Sequence, residues 1–256
     1  MHGLRDKRVV VCGGANGIGA ASAKRLAEEG ARVLIGDIDL AAATATAQRI
    51  TATGGAAAAA WFDLADEESV RALFAHAVAE FDGIDGVFNV GADLSEATIG
   101  RDADLLEFDP AVWRRTFEVN LLGYAHTCRA ALPLLLSQGG GVIVNTSSNA
   151  AFAGEATRPA YAASKAGVNA LTRHIASRWG KHGIRCNAVS PGLVLSETAM
   201  GTMSDEFKAA VLKMTRSPRL GIPSDLASAV AFLLSDDSAW VNGQVWTVDG
   251  GGALRE

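Results

Sequence analysis

Val9-Val10-Val11-Cys12-Gly13-Gly14-Ala15-Asn16-Gly17-Ile18-Gly19 sets an apolar, β-branched run directly before a glycine-rich turn, and a helical pattern then runs over residues 18–29 to Gly30. A strand that turns sharply into a helix leaves unsatisfied N–H groups and the positive end of the helix dipole at the turn. Glycines at 13, 17 and 19 let the main chain bend tightly and approach a pyrophosphate lying on that helix end, with Asn16 and Ile18 between them. The stretch therefore predicts a strand, a phosphate-binding turn and a helix.

Working outward, the same alternation recurs. Apolar runs at 8–12, 32–37, 86–89, 141–146, 184–189 and 244–248 are separated by helical patterns. Residues 66–81 open on an acidic turn, and Asp109-Pro110 supplies an N-cap and an N1 proline for a long helix through about Leu136. Residues 158–181 form another helix, which puts Tyr161 and Lys165 in its first two turns. Residues 55–60, with Trp61 and Phe62, are alanine-rich and locally favour a helix, yet they occupy the slot where a third strand is required; a strand is expected. Strand and helix in repetition predict a parallel sheet with right-handed crossovers and helices on both faces.

The bulk numbers set limits. A chain of 256 residues with 49% apolar composition fits one α/β domain spanning 1–256. The net charge of -5 argues against nucleic acid or an anionic membrane as partner. The charged start, the lack of any long apolar stretch, three widely separated cysteines and scattered histidines predict a soluble cytoplasmic protein with no disulfide framework and no metal site.

Asp37 closes the second strand, where a carboxylate can accept hydrogen bonds from both adenosine ribose hydroxyls and would repel a 2'-phosphate. No basic residue follows in Ile38 and Asp39, so NAD (NADH) is expected rather than NADP. Tyr161 and Lys165, four residues apart on one helical face, form a candidate proton-transfer pair. Bringing a phenol from ~10 toward ~7 requires ~4 kcal/mol of selective phenolate stabilisation. Lys165 and the positive charge of the oxidised nicotinamide are the expected sources.

The glycine spacing, with Asn120, Ser148 and Tyr161-x-x-x-Lys165, resembles the short-chain dehydrogenase/reductase family over nearly the whole chain. The resemblance implies a single-domain Rossmann fold, a doubly wound parallel sheet of about seven strands. It also implies hydride transfer between NAD(H) and a secondary alcohol or ketone. By resemblance Ser148, rather than its neighbour Ser147, bonds the substrate oxygen, and Lys165 also bonds the nicotinamide ribose. Asn120 holds a water that links Lys165 to solvent, with a purely backbone-bonding asparagine as the alternative. Asp63 and Leu64 end the third strand where the family contacts adenine, and Asn89-Val90-Gly91-Ala92 stands in place of its Asn-Asn-Ala-Gly turn. Pro191, Gly192, Val194 and Ser196 follow the sixth strand on the nicotinamide side, and Asp249-Gly250-Gly251 matches the family's ending. Cys12 stands where the family usually has threonine, and the last two residues of the Asn89 turn are exchanged.

A substrate lid is expected at about 193–220. Met200, Met203, Phe207 and Met214 there suggest an adaptable wall for an apolar or alicyclic substrate, or else simply dock a small helix. The acidic stretch Asp93 to Asp109 reads as a solvated loop that alternatively rims the pocket or a subunit contact. Asn149, Phe152 and Arg158 are candidates for substrate selection, Tyr124 is assigned to packing or an interface, and Lys181 and His182 complement a helix dipole. The two long helices carry alanine and leucine on more than one face, which with the resemblance implies a homotetramer, or a dimer. Two other readings remain: a 3-oxoacyl-carrier-protein reductase, against which Asp37 and the acidic balance argue, and a non-catalytic dinucleotide-binding protein.

Overall fold

The architecture is taken from a computed structural model that describes residues 1–196, 200–201 and 203–254; positions 197–199 and 202 of the expected lid lie outside the described residues. Seven parallel strands lie in the order β3-β2-β1-β4-β5-β6-β7. They are β1 (Arg8–Cys12), β2 (Arg32–Asp37), β3 (Ala56–Trp61), β4 (Gly86–Asn89), β5 (Gly141–Thr146), β6 (Ile184–Pro191) and β7 (Val245–Val248). The order reverses between β1 and β4, and the crevice beyond the carboxyl ends of those strands is where such sheets take ligands.

Period-two alternation sends successive side chains to opposite faces. Val10, Cys12, Leu34 and Val87 pack on one side against α3 (Glu67–Phe81), α5 (Gly123–Ser137) and α7 (Pro159–Trp179). Val9, Val11, Val33, Ile35 and Phe88 pack on the other against α1 (Gly17–Glu28), α2 (Leu40–Ala52) and α9 (Pro223–Leu234). The alanine-rich segment is a strand because it pairs with β2 from Arg32↔Ala56 to Asp37↔Trp61. Ala58 and Ala60 join one core while Ala57 and Ala59 join the other, so edge pairing and two-sided packing override helix propensity.

Two helices differ from expectation. The helix opening at Asp109 and Pro110 is α4 (Pro110–Phe117), then a π turn over Glu118–Leu122, then α5. One extra residue in that turn reorients Asn120 without ending the helix. The helix expected from Arg158 begins at Pro159, because Arg158 sits in the left-handed region with φ +65°, and it ends in a 3-10 turn at Gly180–His182. Helix α6 is a single turn at Ala150–Ala153, and α8 spans Asp205–Met214. Among the described residues no helix is long and apolar enough to cross a membrane.

Candidate active site

The turn after β1 is held by main chain. Gly13 and Gly14 donate to the carbonyl of Gly36, and Gly13, with φ +99°, lies so close to Gly91 that a Cβ there would be 2.3 Å from its backbone. A Cβ on Gly19 would stand 2.1 Å from the Gly13 carbonyl oxygen. Gly17, with φ +53°, faces open space, and its nearest neighbour would be the Cβ of Ser196 at 3.5 Å. Asn16 is the N-cap of α1 but makes no side-chain cap bond, and the first turn contains no acid. The helix end thus offers N–H donors and a positive dipole to an anion.

Asp37 is fixed beside this turn. One carboxylate oxygen accepts from Ala15 N at 2.9 Å and the other from Asp39 N at 3.1 Å, which leaves further lone pairs for ribose hydroxyls. Asp63 accepts from Ala65 N, and Leu64 is buried, with its Cδ1 2.8 Å from where a Cβ on Gly91 would be. Asn89 is braced by the sheet. Its side chain turns into the sheet, where Nδ2 donates to Asn145 Oδ1 at 2.9 Å, so its place next to the turn is a main-chain one. Pro191, the last residue of β6 rather than the first after it, accepts from Asn149 N, while beyond the strand Gly192 packs against Asp249 and Val194 bridges to Gly221. Ser196 lies over the Gly17 turn. The donor set fits a dinucleotide, with a cradle where Cβ atoms would clash, an uncapped helix end and a carboxylate fixed beside the turn.

At the end of β5, Ser147 N donates to Val189 and its hydroxyl is buried without a hydrogen-bond partner. Ser148 is half-buried, accepts from Ala150 N at 3.2 Å, and its hydroxyl lies close enough to the Tyr161 phenol to lower its pKa. Lys165 is buried; its Nζ donates to the Thr146 carbonyl at 2.9 Å and stands 5.9 Å from the Tyr161 ring centroid and 4.9 Å from that of Tyr124. Serine, tyrosine and lysine therefore converge. Asn120 is fully buried on the π turn, and its amide is engaged with the backbone of Asp93, accepting from Asp93 N at 2.8 Å. That is a backbone-bonding arrangement, which ties the π turn to the start of the 93–109 loop.

Burial pushes the Tyr161 phenol up, opposed by the Ser148 hydroxyl and Arg158. Burial takes Lys165 itself down from 10.5 to about 7. A lysine near half-charge at neutral pH and turned toward a carbonyl offers the phenol part of a positive charge.

Residues 13–252 match the family model described as enoyl-(acyl carrier protein) reductase. The chain is 42% identical over 251 residues to a probable short-chain type dehydrogenase/reductase of Bradyrhizobium diazoefficiens, covering 98% of this chain and 89% of that one. It is 40% identical over 246 residues to the cis-4-hydroxycyclohexanecarboxylate dehydrogenase of Sinomonas cyclohexanicum, covering 96% of each. A solved 7 alpha-hydroxysteroid dehydrogenase, complexed with NADH and 7-oxo glycochenodeoxycholic acid, matches with a TM-score of 0.89 and 32% identity, over 98% of this chain and 97% of that one. The chain belongs to the short-chain dehydrogenase/reductase family.

Within this dehydrogenase/reductase frame, several placements escape a reading of the sequence. Asp102, expected in a solvated loop, is buried, and its carboxylate accepts from Tyr161 N at 2.9 Å and Ala160 N at 3.2 Å, capping the helix that carries Tyr161. Its carbonyl accepts from Arg158 N. Asp93, in the same loop, is held by Ser95, Thr98 and Arg115, while Glu96, Asp104 and Glu107 are exposed as expected. Asn149 bonds Asp249 and Ser190, so it braces the site rather than facing a substrate, and Tyr124 packs against Lys165. An acid between a glycine-rich turn and the Tyr-x-x-x-Lys helix was the available signal for Asp102, but five other acids in the loop obscure it. In the segment expected to form a lid, α8 has no buried residue, and Met200, Phe207 and Met214 are exposed rather than docked.

Proposed function

We propose that the protein is an NAD(H)-dependent oxidoreductase that transfers hydride between the cofactor and a secondary alcohol or ketone on an apolar or alicyclic small molecule. The convergence of Ser148, Tyr161 and Lys165 beyond β5, with Asp37 at the other end of the crevice, carries the reading. When bound, NAD(H) supplies or accepts the hydride. Gly13, Asn16, Gly17, Ile18 and Gly19 would hold its pyrophosphate, Asp37 its adenosine ribose, Asp63, Leu64 and the Asn89 to Gly91 main chain its adenine side, and Pro191, Gly192, Val194 and Ser196 its nicotinamide side.

The Ser148 hydroxyl donates to the substrate oxygen and fixes it near the Tyr161 phenol. In reduction Tyr161 gives its proton to that oxygen; in oxidation it takes the proton from the alcohol. Burial keeps the phenol protonated at neutral pH, which suits the acid role, whereas the base role needs positive charge beside it. Lys165 supplies part of that charge and Asn120 fixes the loop that rims the pair. Asp37 favours NAD over NADP through repulsion of a 2'-phosphate. The alicyclic preference is supported by the exposed Met200, Phe207 and Met214, and by relatives named for a cyclohexane acid and a steroid. The apolar groove between α5 and α7, about 360 Å³ and lined by Leu132, Leu136, Leu171, Ile175 and Trp179, supports a homotetramer or dimer.

The test is a panel of alcohols and ketones followed by NADH absorbance, with NAD and NADP run in parallel. Cyclic and aliphatic substrates with NAD should turn over, and Tyr161→Phe should lose ~10²–10⁴-fold in rate. Near-undiminished activity in that variant overturns the catalytic assignment. Better turnover of charged sugars overturns the substrate class, and a preference for NADP overturns the reading of Asp37. A monomer by sedimentation at micromolar concentration contradicts the oligomer.

A further inference from the structure

Lys165 is buried in a place that offers its charge little. Among the described residues no acid pairs with it, and its one hydrogen bond is to the Thr146 carbonyl at 2.9 Å. Two aromatic rings stand near the ammonium. The Tyr124 ring centroid lies 4.9 Å away, closer than the Tyr161 ring at 5.9 Å, and Tyr124 approaches from α5 while Lys165 sits on α7. Tyr124 is wholly buried, and its hydroxyl lies beside, but not in hydrogen-bonding geometry with, the equally unpartnered hydroxyl of Thr146. The part of Tyr124 that has a partner is therefore its ring face, whose quadrupole attracts a cation, and more so where water is excluded.

We propose that Tyr124 is a positioning residue for the reaction, its ring holding the Lys165 ammonium charged and in place behind Tyr161. The proposal rests on the reading of Lys165 given above. The titratable groups around the pair are few. Tyr161 faces Lys165 from its own helix, and Glu155 and Arg158 act on Tyr161 from the preceding turn. Cys12 of β1 and Cys128 of α5 face Tyr124, and burial raises both thiols, which keeps them neutral. Asp102 lies under the start of α7. Since burial brings Lys165 to about 7, the ring acts on a group poised near half-charge, where a small bias changes the population of the ammonium most.

The Lys165 side chain can be titrated directly by NMR of lysine labelled with ¹³C at Cε, its signal identified by its loss in Lys165→Arg. Tyr124→Phe keeps the ring and should leave the midpoint where it is in the wild type. Tyr124→Leu should lower it by about half to one pH unit. A trifluorinated phenylalanine at 124 preserves the shape, drains the ring face of negative potential and should lower the midpoint in the same direction, which keeps the test open if the leucine variant fails to fold. The alkaline limb of kcat/KM should follow the midpoint. A midpoint unmoved by the fluorinated ring, or moved as far by Tyr124→Phe as by Tyr124→Leu, overturns the proposal. A midpoint that moves while the alkaline limb stays put overturns the catalytic role of Lys165, and with it the part Tyr124 plays in the reaction.

Discussion

The two ends of the crevice are built on opposite plans. At the phosphate turn the construction is by omission: no Cβ at 13, 17 or 19, no side-chain cap on α1 and no acid in its first turn. At the tyrosine end it is by burial: a carboxylate under the start of α7, an ammonium without an acid partner and hydroxyls without hydrogen bonds. A site left bare for a charged ligand has little that strains it alone, whereas one built of buried charge holds a reactive arrangement at a cost in stability.

The largest expected effect lies at the buried end. With a folded-state value of about 7 against 10.5, Lys165 gives the unfolded chain the extra proton between those pH values, so stability rises with pH across that window and the penalty is complete below it. Lys165→Met should remove the penalty, an upper limit of ~4–5 kcal/mol less ~1 kcal/mol for the lost bond to Thr146. Thermal melts should show the variant more stable than wild type at pH 6, the gap closing as pH rises, while turnover is lost. A variant less stable at pH 6 would break the contrast.

At the bare end, Gly19→Ala puts a Cβ 2.1 Å from the Gly13 carbonyl oxygen, and backbone must move. We expect at least ~2 kcal/mol of lost stability and a large drop in NADH affinity, read by melts and by fluorescence titration. Gly17→Ala, which meets only Ser196, should cost ~1–2 kcal/mol for its left-handed conformation and little for space.

Next in size is Asp102. Asp102→Ala strips the acceptor from Ala160 N and Tyr161 N, for ~1–2 kcal/mol, and should lower kcat more than it raises KM as the tyrosine loosens. Asp102→Asn keeps an acceptor and should recover most of both. If alanine and asparagine behave alike, the cap does not position Tyr161.

The same contrast explains what could be read from the chain. The phosphate turn is legible because its demands are steric and mostly local: Gly19 answers to Gly13 and Gly14 just before it, Gly13 to the turn after the neighbouring strand β4, and Gly17 to its own left-handed backbone. The alanine-rich β3 was readable only from its slot in the alternation, since its own residues favour a helix and its pairing with β2 is a tertiary fact. Buried construction is not local. The π turn leaves the apolar pattern of the α4 to α5 stretch intact while it turns Asn120 toward Asp93. Asp102 looks like the other acids of its loop until the loop is folded against α7, and the meeting of Tyr124 with Lys165 depends on how α5 and α7 pack. The side chain of Asn89 likewise answers to Asn145 across the sheet, which no spacing along the chain reveals.

The smallest effect is also the sharpest discriminator. Asn16 caps α1 by position without a side-chain bond, so Asn16→Ala should cost only a few tenths of a kcal/mol, against ~1 kcal/mol for Asp66→Ala, whose carboxylate accepts from Glu68 N on α3. Asn16→Asp should then act in two directions at once. A carboxylate at the bare end of α1 complements the helix dipole and should stabilise the protein alone by ~0.3–1 kcal/mol. The same charge competes with a pyrophosphate for that end, so NADH should bind more weakly, and added salt should narrow the difference by screening the repulsion. A variant that gains stability and loses affinity for NADH identifies the empty cap as a binding surface. One that gains stability and binds NADH unchanged means that the omission of a cap at Asn16 serves no ligand.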